Sequence, residues 1–153
     1  MINIANADKS EREVVFLNAA KKAGIANPAI VEKDFWVCFT LDYLFRLSPW
    51  PNGFIFKGGT SLSKGYHVIE RFSEDIDLVL DWRLLGYKED EPWIDRSKTQ
   101  QDKFNKAVVK KASAFLSETL CSKMQEDLGN LLNENIEVLM DKDDPDQCTV
   151  NFY

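Results

Sequence analysis

Histidine is nearly absent from this 153-residue chain, cysteine is scarce, and no long apolar run occurs. Each shortage removes a class of chemistry. Cys38, Cys121 and Cys148 are an odd, widely spaced set without a C-x-x-C pair, so neither a disulfide framework nor a zinc site is expected. The single histidine, His67, offers no Ser-His-Asp constellation and reads as a partly buried or capping residue. The segment MINIANADKSERE lacks a basic start followed by a long apolar run, and no stretch approaches a membrane span. A soluble cytoplasmic protein without membrane association is the expectation. Positive charge is not in excess either: a net charge of −6 argues against a general nucleic-acid coat while leaving local basic surfaces open.

What is present is apolar and aromatic content, 44% and 12% respectively, enough for a globular core. One domain over residues 1–153 is expected. Ser10 and Glu13 form a capping box opening an apolar helix through Val14, Val15 and Leu17, which Gly24 ends. Asn27 before Pro28 starts a second helix running to about residue 45. Its stripe of Val37, Leu41 and Leu44, widened by Trp36, Phe39 and Phe45, marks a core helix. Glu32, Lys33 and Asp34 lie near its start, where helix-end electrostatics accounts for them. Further on, residues 82–96 lack periodicity and read as an irregular excursion. Ser97 and Gln100 form another capping-box pair, opening a helical region that carries Phe104, Val108, Phe115 and Leu116, then Leu120, Met124, Leu128 and Leu131. Lys98, Lys103, Lys106, Lys110 and Lys111 make its first part basic, as a solvated face or a phosphate-contact surface. Runs at 136–140 and 148–153 flank an acidic turn of Asp141, Asp143, Asp144 and Asp146 and pair as a hairpin. The chain stops inside strand-like sequence, as a domain cut short would.

Chemistry-bearing groups concentrate in residues 54–81. A buried strand at 54–56 is broken by Gly58 and Gly59, and a helix over 60–70 follows with Thr60 or Ser61 as N-cap. A second strand covers 75–80. Alternation sends Asp75, Asp77 and Val79 to one face and Ile76, Leu78 and Leu80 to the other. Two adjacent carboxylates repel and resist desolvation, and a divalent cation relieves both effects. Oxygen-only ligation favours Mg²⁺, with Mn²⁺ possible, over Zn²⁺. The glycine pair lets backbone approach a ligand, and the helix start with its Thr60 and Ser61 hydroxyls suits a phosphate. The run GGTSLSKG does not satisfy the Walker A pattern.

Strand, glycine turn, helix and D-x-D strand in this order resemble the nucleotidyltransferase fold of the DNA polymerase β type. The likeness is closer to the AbiEii/AbiGii nucleotidyltransferase toxin family of toxin–antitoxin and abortive-infection systems. It rests on Lys57-Gly58-Gly59-Thr60-Ser61-Leu62 and on Arg71-Phe72-Ser73-Glu74-Asp75-Ile76-Asp77-Leu78, with Glu32-Lys33-Asp34-Phe35-Trp36 as a further shared feature. The resemblance implies an α+β fold with a mixed central sheet flanked by helices, incomplete at its C-terminal end. It implies transfer of a nucleoside monophosphate from an NTP to an acceptor such as the tRNA 3′ end, and a cognate antitoxin as partner. Asp75 and Asp77 would be the catalytic metal ligands. Gly58, Gly59, Thr60, Ser61, Lys64 and Arg71 would bind the nucleotide, with Lys57 turned toward or away from the site by strand alternation. The fold ordinarily supplies a third carboxylate from a later strand; Glu137 is the one substitute within the chain and reads as a surface residue.

Two other readings compete. A nucleotide- or partner-binding module would keep the phosphate loop without turnover and would be stabilised by NTP without forming product. In the plainest case Asp75 and Asp77 are salt-bridged to Arg71 and Lys64, and the glycine turn is only structural.

Overall fold

Side-chain caps set the starts of the three longest helices, and the computed structural model describes residues 1–66 and 75–152 of the chain. Two compact units result, Met1–Val79 and Leu80–Tyr153.

In the first unit, α1 (Ile2–Ala5) precedes α2 (Lys9–Ala23) and α3 (Pro28–Asp42). The cap of α2 is Asp8, whose carboxylate accepts the Glu11 amide at 3.0 Å. The expected Ser10 cap is therefore displaced by two residues. Ser10 instead donates its hydroxyl to Asp8, because a carboxylate at the N-cap answers both the free amide and the positive helix end. Gly24 ends α2 at φ 71°, the left-handed geometry glycine adopts at low cost. Asn27 caps α3 through Ala29, with Pro28 in the first turn, as the sequence indicates.

The buried stripe of α2 is Arg12, Phe16 and Ala20, spaced by four, while Val14, Val15 and Leu17 are exposed. This corrects the apolar face read from the sequence. Arg12 is buried because its Nη1 donates to the carbonyls of Ala5 and Ala7, at 3.1 and 2.8 Å, tying down the segment before α2. Phe16 meets Phe35 at 5.5 Å between ring centres, and Phe35, Trp36 and Phe39 continue the aromatic contacts along α3. Val37, Phe39, Tyr43 and Leu44 are buried. The helix does not stop at residue 45 but passes into a π-helical turn, Tyr43–Leu47, closed by the Ser48 amide on the Tyr43 carbonyl. Strand β1 (Phe54–Lys57) then leads into α4 (Gly58–Lys64), and β1 pairs with β2 (Asp77–Leu80).

In the second unit, residues 82–96 hold two short 3-10 turns, Trp82–Leu85 and Glu91–Trp93. Ser97 and Gln100 form both bonds of a capping box at the start of α5 (Lys98–Ala114). A π-helical segment, Phe115–Leu120, joins α5 to α6 (Cys121–Leu131). The wider turn shifts the phase of the helix. No residue of α5 is buried, whereas Leu120, Cys121, Met124 and Leu128 are. Burial pushes the Cys121 thiol upward from its ordinary pKa.

The hairpin read from the sequence is present as β3 (Val138–Met140) and β4 (Val150–Phe152), antiparallel, with Val138 opposite Phe152 and Met140 opposite Val150. Its acidic turn is organised by Asp144, whose carboxylate accepts from the Thr149 hydroxyl and from the Cys148 and Asp146 amides. The class is thus α+β. Among the described residues the strands form two separate two-stranded sheets, and no single mixed central sheet is present. No helix among them is long and apolar enough to cross a membrane.

Candidate nucleotide and metal site

The site starts from a backbone conformation. After β1, the chain turns at Gly58 with φ 76°, where an L side chain is strained by its own carbonyl. A Cβ there would stand 1.9 Å from Asp77 Oδ2 and 2.9 Å from Asp77 Cβ. The Asp77 side chain therefore lies directly against Gly58, and only a residue without a side chain leaves it that room. Glycine turn and D-x-D strand, 19 positions apart in the sequence, form one local structure.

Over residues 75–80 the burial alternates as expected: Asp75, Asp77 and Val79 are exposed, and Ile76, Leu78 and Leu80 are half-buried. The strand begins at Asp77, two residues later than the sequence suggests. Asp75 is nonetheless fixed, since its carbonyl accepts the Thr60 hydroxyl at 2.7 Å. Thr60 is 1% exposed, so this bond is shielded from competing water. Ser61, also buried, donates to the Gly58 carbonyl at 2.8 Å. Neither hydroxyl acts as the N-cap of α4, which begins at Gly58 with Lys57 in the cap position and no side-chain cap bond. Both hydroxyls are committed to holding the turn.

Lys64, the last residue of α4, is paired with Asp34 of α3, and the two side chains are 24% and 25% exposed. This corrects the helix-end reading of Asp34, which lies beyond the first turn of α3. It also differs from the plainest alternative, in which Lys64 pairs with Asp75 or Asp77. Lys57 is exposed at the end of β1, and Gly59 is half-buried. α4 ends at Lys64 with Gly65 as its C-cap, short of the helix expected over 60–70, while positions 67–70 of that expectation, His67 among them, and Arg71 lie outside the described residues.

Two exposed carboxylates two positions apart, Asp75 just before β2 and Asp77 at its start, are an oxygen-only donor set. That chemistry fits a hard divalent cation as part of a coordination shell that substrate oxygens and water complete. Among the described residues no group of three or more His, Cys, Asp or Glu side chains is placed to share an ion. Asp81, next along the chain, is engaged elsewhere: hydrogen bonds from the Arg83 side chain hold its carboxyl below the usual range. Glu137 is exposed, immediately before β3.

The basic face of α5 is smaller than the lysine count implies. Lys106 pairs with Asp102 at 2.9 Å, and Lys111 donates to the Leu85 carbonyl while sitting 4.1 Å from the Tyr87 ring centre. Lys98, Lys103 and Lys110 are exposed. A shallow groove of about 380 Å³ runs along α5 between Lys106 and Lys110 on one side and Asp146 and Gln147 on the other.

Sequence reasoning singled out the carboxylates and the glycine turn but missed the Asp34–Lys64 pair and the tie from Thr60 to the strand. Neither has a periodicity that reveals it, because the partners are 30 and 15 positions apart. The one trace was a charged Glu32-Lys33-Asp34 run set beside an aromatic cluster.

The family model described as "Nucleotidyl transferase AbiEii toxin, Type IV TA system" matches residues 42–142, more than half of the chain. The match spans β1, the glycine turn, β2, α5, α6 and β3, and it begins after Asp34. No curated protein and no solved structure matches the chain.

Proposed function

We infer that this chain, which belongs to the AbiEii nucleotidyltransferase toxin family, transfers a nucleoside monophosphate from an NTP to an acceptor hydroxyl, with the tRNA 3′ end as the acceptor. The observation that carries the reading is the Asp77 side chain lying against Gly58. A phosphate-binding turn and a carboxylate pair serve this chemistry only if they are adjacent, and here a single methyl group would not fit between them. The core is proposed to be of the polymerase β type, in one domain, acting in the cytoplasm and restrained by a cognate antitoxin.

In this reading Gly58 and Gly59 bring backbone close to the triphosphate, and Thr60 and Ser61 belong to the same turn, their hydroxyls fixing its shape. Lys64 and Arg71 supply positive charge to the phosphates. Asp75 and Asp77 hold Mg²⁺, or Mn²⁺ in its place. The bound ion supplies charge neutralisation at the phosphates and a lowered pKa for the attacking hydroxyl. The acceptor hydroxyl gives its proton to solvent, its oxygen bonds to the α-phosphorus, the bond from that phosphorus to the α,β-bridging oxygen breaks, and pyrophosphate leaves with the bridging oxygen. Lys98, Lys103 and Lys110 offer an exposed basic stretch suited to an RNA backbone.

Incubation with each labelled NTP, Mg²⁺ and total tRNA tests this directly. Label should pass to RNA, and the double substitution Asp75→Ala, Asp77→Ala should abolish transfer. Transfer untouched by that substitution would refute the assignment. NTP binding without transfer to any acceptor would favour the binding-module reading.

A further inference from the structure

We propose that Asp34 is a positioning residue for nucleotide binding, acting through Lys64; the inference rests on the nucleotidyltransferase reading above. The starting point is the placement of two ties on one short helix. Thr60, in the first turn of α4, is bonded to the Asp75 carbonyl, and Lys64, its last residue, is bonded to Asp34. α4 is therefore fastened at one end to the segment leading into β2 and at the other to α3. The glycine turn, at the start of α4, inherits its position from both.

Asp34 is well suited to serve as the fixed partner. The macrodipole acts over the first turn of a helix, and Asp34 lies beyond it, so that field does not explain the residue. Its neighbours Phe35 and Trp36 are locked by ring contacts to Phe16 and Phe39, which leaves the backbone at Asp34 little freedom. Lys64 has the opposite character, an ammonium on a four-carbon stem with high rotamer entropy when unrestrained. With about three-quarters of each side chain buried, the pair is partly desolvated and stronger than an exposed ion pair.

The chemistry of lysine then gives the pair a second consequence. An ammonium carries three donors. Asp34 engages one and leaves two, so the carboxylate can hold Lys64 in place without exhausting it. Asp34 thus prepays the ordering of a side chain that a triphosphate would otherwise have to order on binding.

A double-mutant cycle on the whole chain tests this, with the dissociation constant of each of the four Mg²⁺–NTPs measured by calorimetry and the melting temperature of the free protein measured alongside. Asp34→Asn and Lys64→Met should each weaken the tightest NTP by roughly tenfold. The double variant should be no weaker than Lys64→Met alone, and Asp34→Glu should recover most of the affinity. A melting temperature lowered by Asp34→Asn with unchanged NTP affinity would overturn the proposal, because the pair would then only brace α3 and α4. Equal loss from Asp34→Asn in the wild-type and Lys64→Met backgrounds would overturn it too, because Asp34 would then act through another group. If the wild-type chain bound no NTP, the nucleotidyltransferase reading would fail first and this inference with it, a result distinguishable from both.

Discussion

The glycine turn and the seam between α6 and the β3–β4 hairpin are built in opposite ways. At the turn, the contacts that set position are polar and long-range: Thr60 to Asp75, Lys64 to Asp34, and the Asp77 side chain against Gly58. At the seam they are mainly apolar, with Met124, Leu128, Leu132, Ile136 and Val138 buried. Gln125 bonds the backbone of Ile136 and Val138 and registers the strand on the helix. Hydrogen bonds and ion pairs are directional and define geometry, whereas apolar burial is non-directional and supplies most of the free energy. The turn is consequently expected to govern binding and the seam to govern stability.

The largest effect that can break this comparison is Leu128→Ala. Leu128 is 0% exposed, and its truncation should lower the unfolding free energy by about 3 kcal/mol through lost transfer and a residual cavity. Denaturant titration measures the loss, and NTP affinity well below the melting temperature should not change. A change in affinity comparable to the change in stability would erase the distinction between the two regions. Thr60→Val comes next. It keeps the shape but removes the donor to the Asp75 carbonyl, costing about 1–2 kcal/mol. Here NTP affinity should fall in addition, because Asp75 loses its fixed backbone.

The smallest effect sharpens the comparison from the side of the hairpin. The Thr149 hydroxyl first, then the Cys148 and Asp146 amides, hold the Asp144 carboxyl below its ordinary range. A depressed folded pKa means that the stabilisation is present above the unfolded value of 3.8 and is lost as pH falls through the folded one. Asp144→Ala should therefore be less stable than wild type at neutral pH, and the gap should close as the pH drops below about 4. Melting curves across that range report it. A gap that persisted unchanged into acid would mean that the turn does not depend on the carboxylate charge.

The parts of the structure legible in the sequence are those where one residue type has one job. Asn27 and Pro28 start α3, Gly24 ends α2, Ser97 and Gln100 open α5, and the alternation of Asp75 to Leu80 holds into and along β2. Local rules failed where two residues compete for the same job. Asp8 outcompetes Ser10 as a cap, and Arg12 takes the buried stripe from Val14 and Val15 because the carbonyls of Ala5 and Ala7 satisfy its guanidinium. The π-helical segments at Tyr43–Leu47 and Phe115–Leu120 change the period of the helix and so escape a search at 3.6 residues per turn. At the site, strand alternation singled out the carboxylates, but the pairing of Asp34 with Lys64 is a tertiary fact with no local signature.

Whether Gly58 and Asp77 belong to one metal-dependent nucleotide site is decided by thermal stabilisation with NTP, measured in the presence and absence of Mg²⁺. A Cβ at position 58 would stand 1.9 Å from Asp77 Oδ2, so Gly58→Ala must displace the carboxylate that Asp77→Ala removes. NTP should raise the melting temperature of the wild-type chain only when Mg²⁺ is present, and each substitution should abolish the rise. Stabilisation indifferent to Mg²⁺, or retained in full by either variant, would contradict a single shared site.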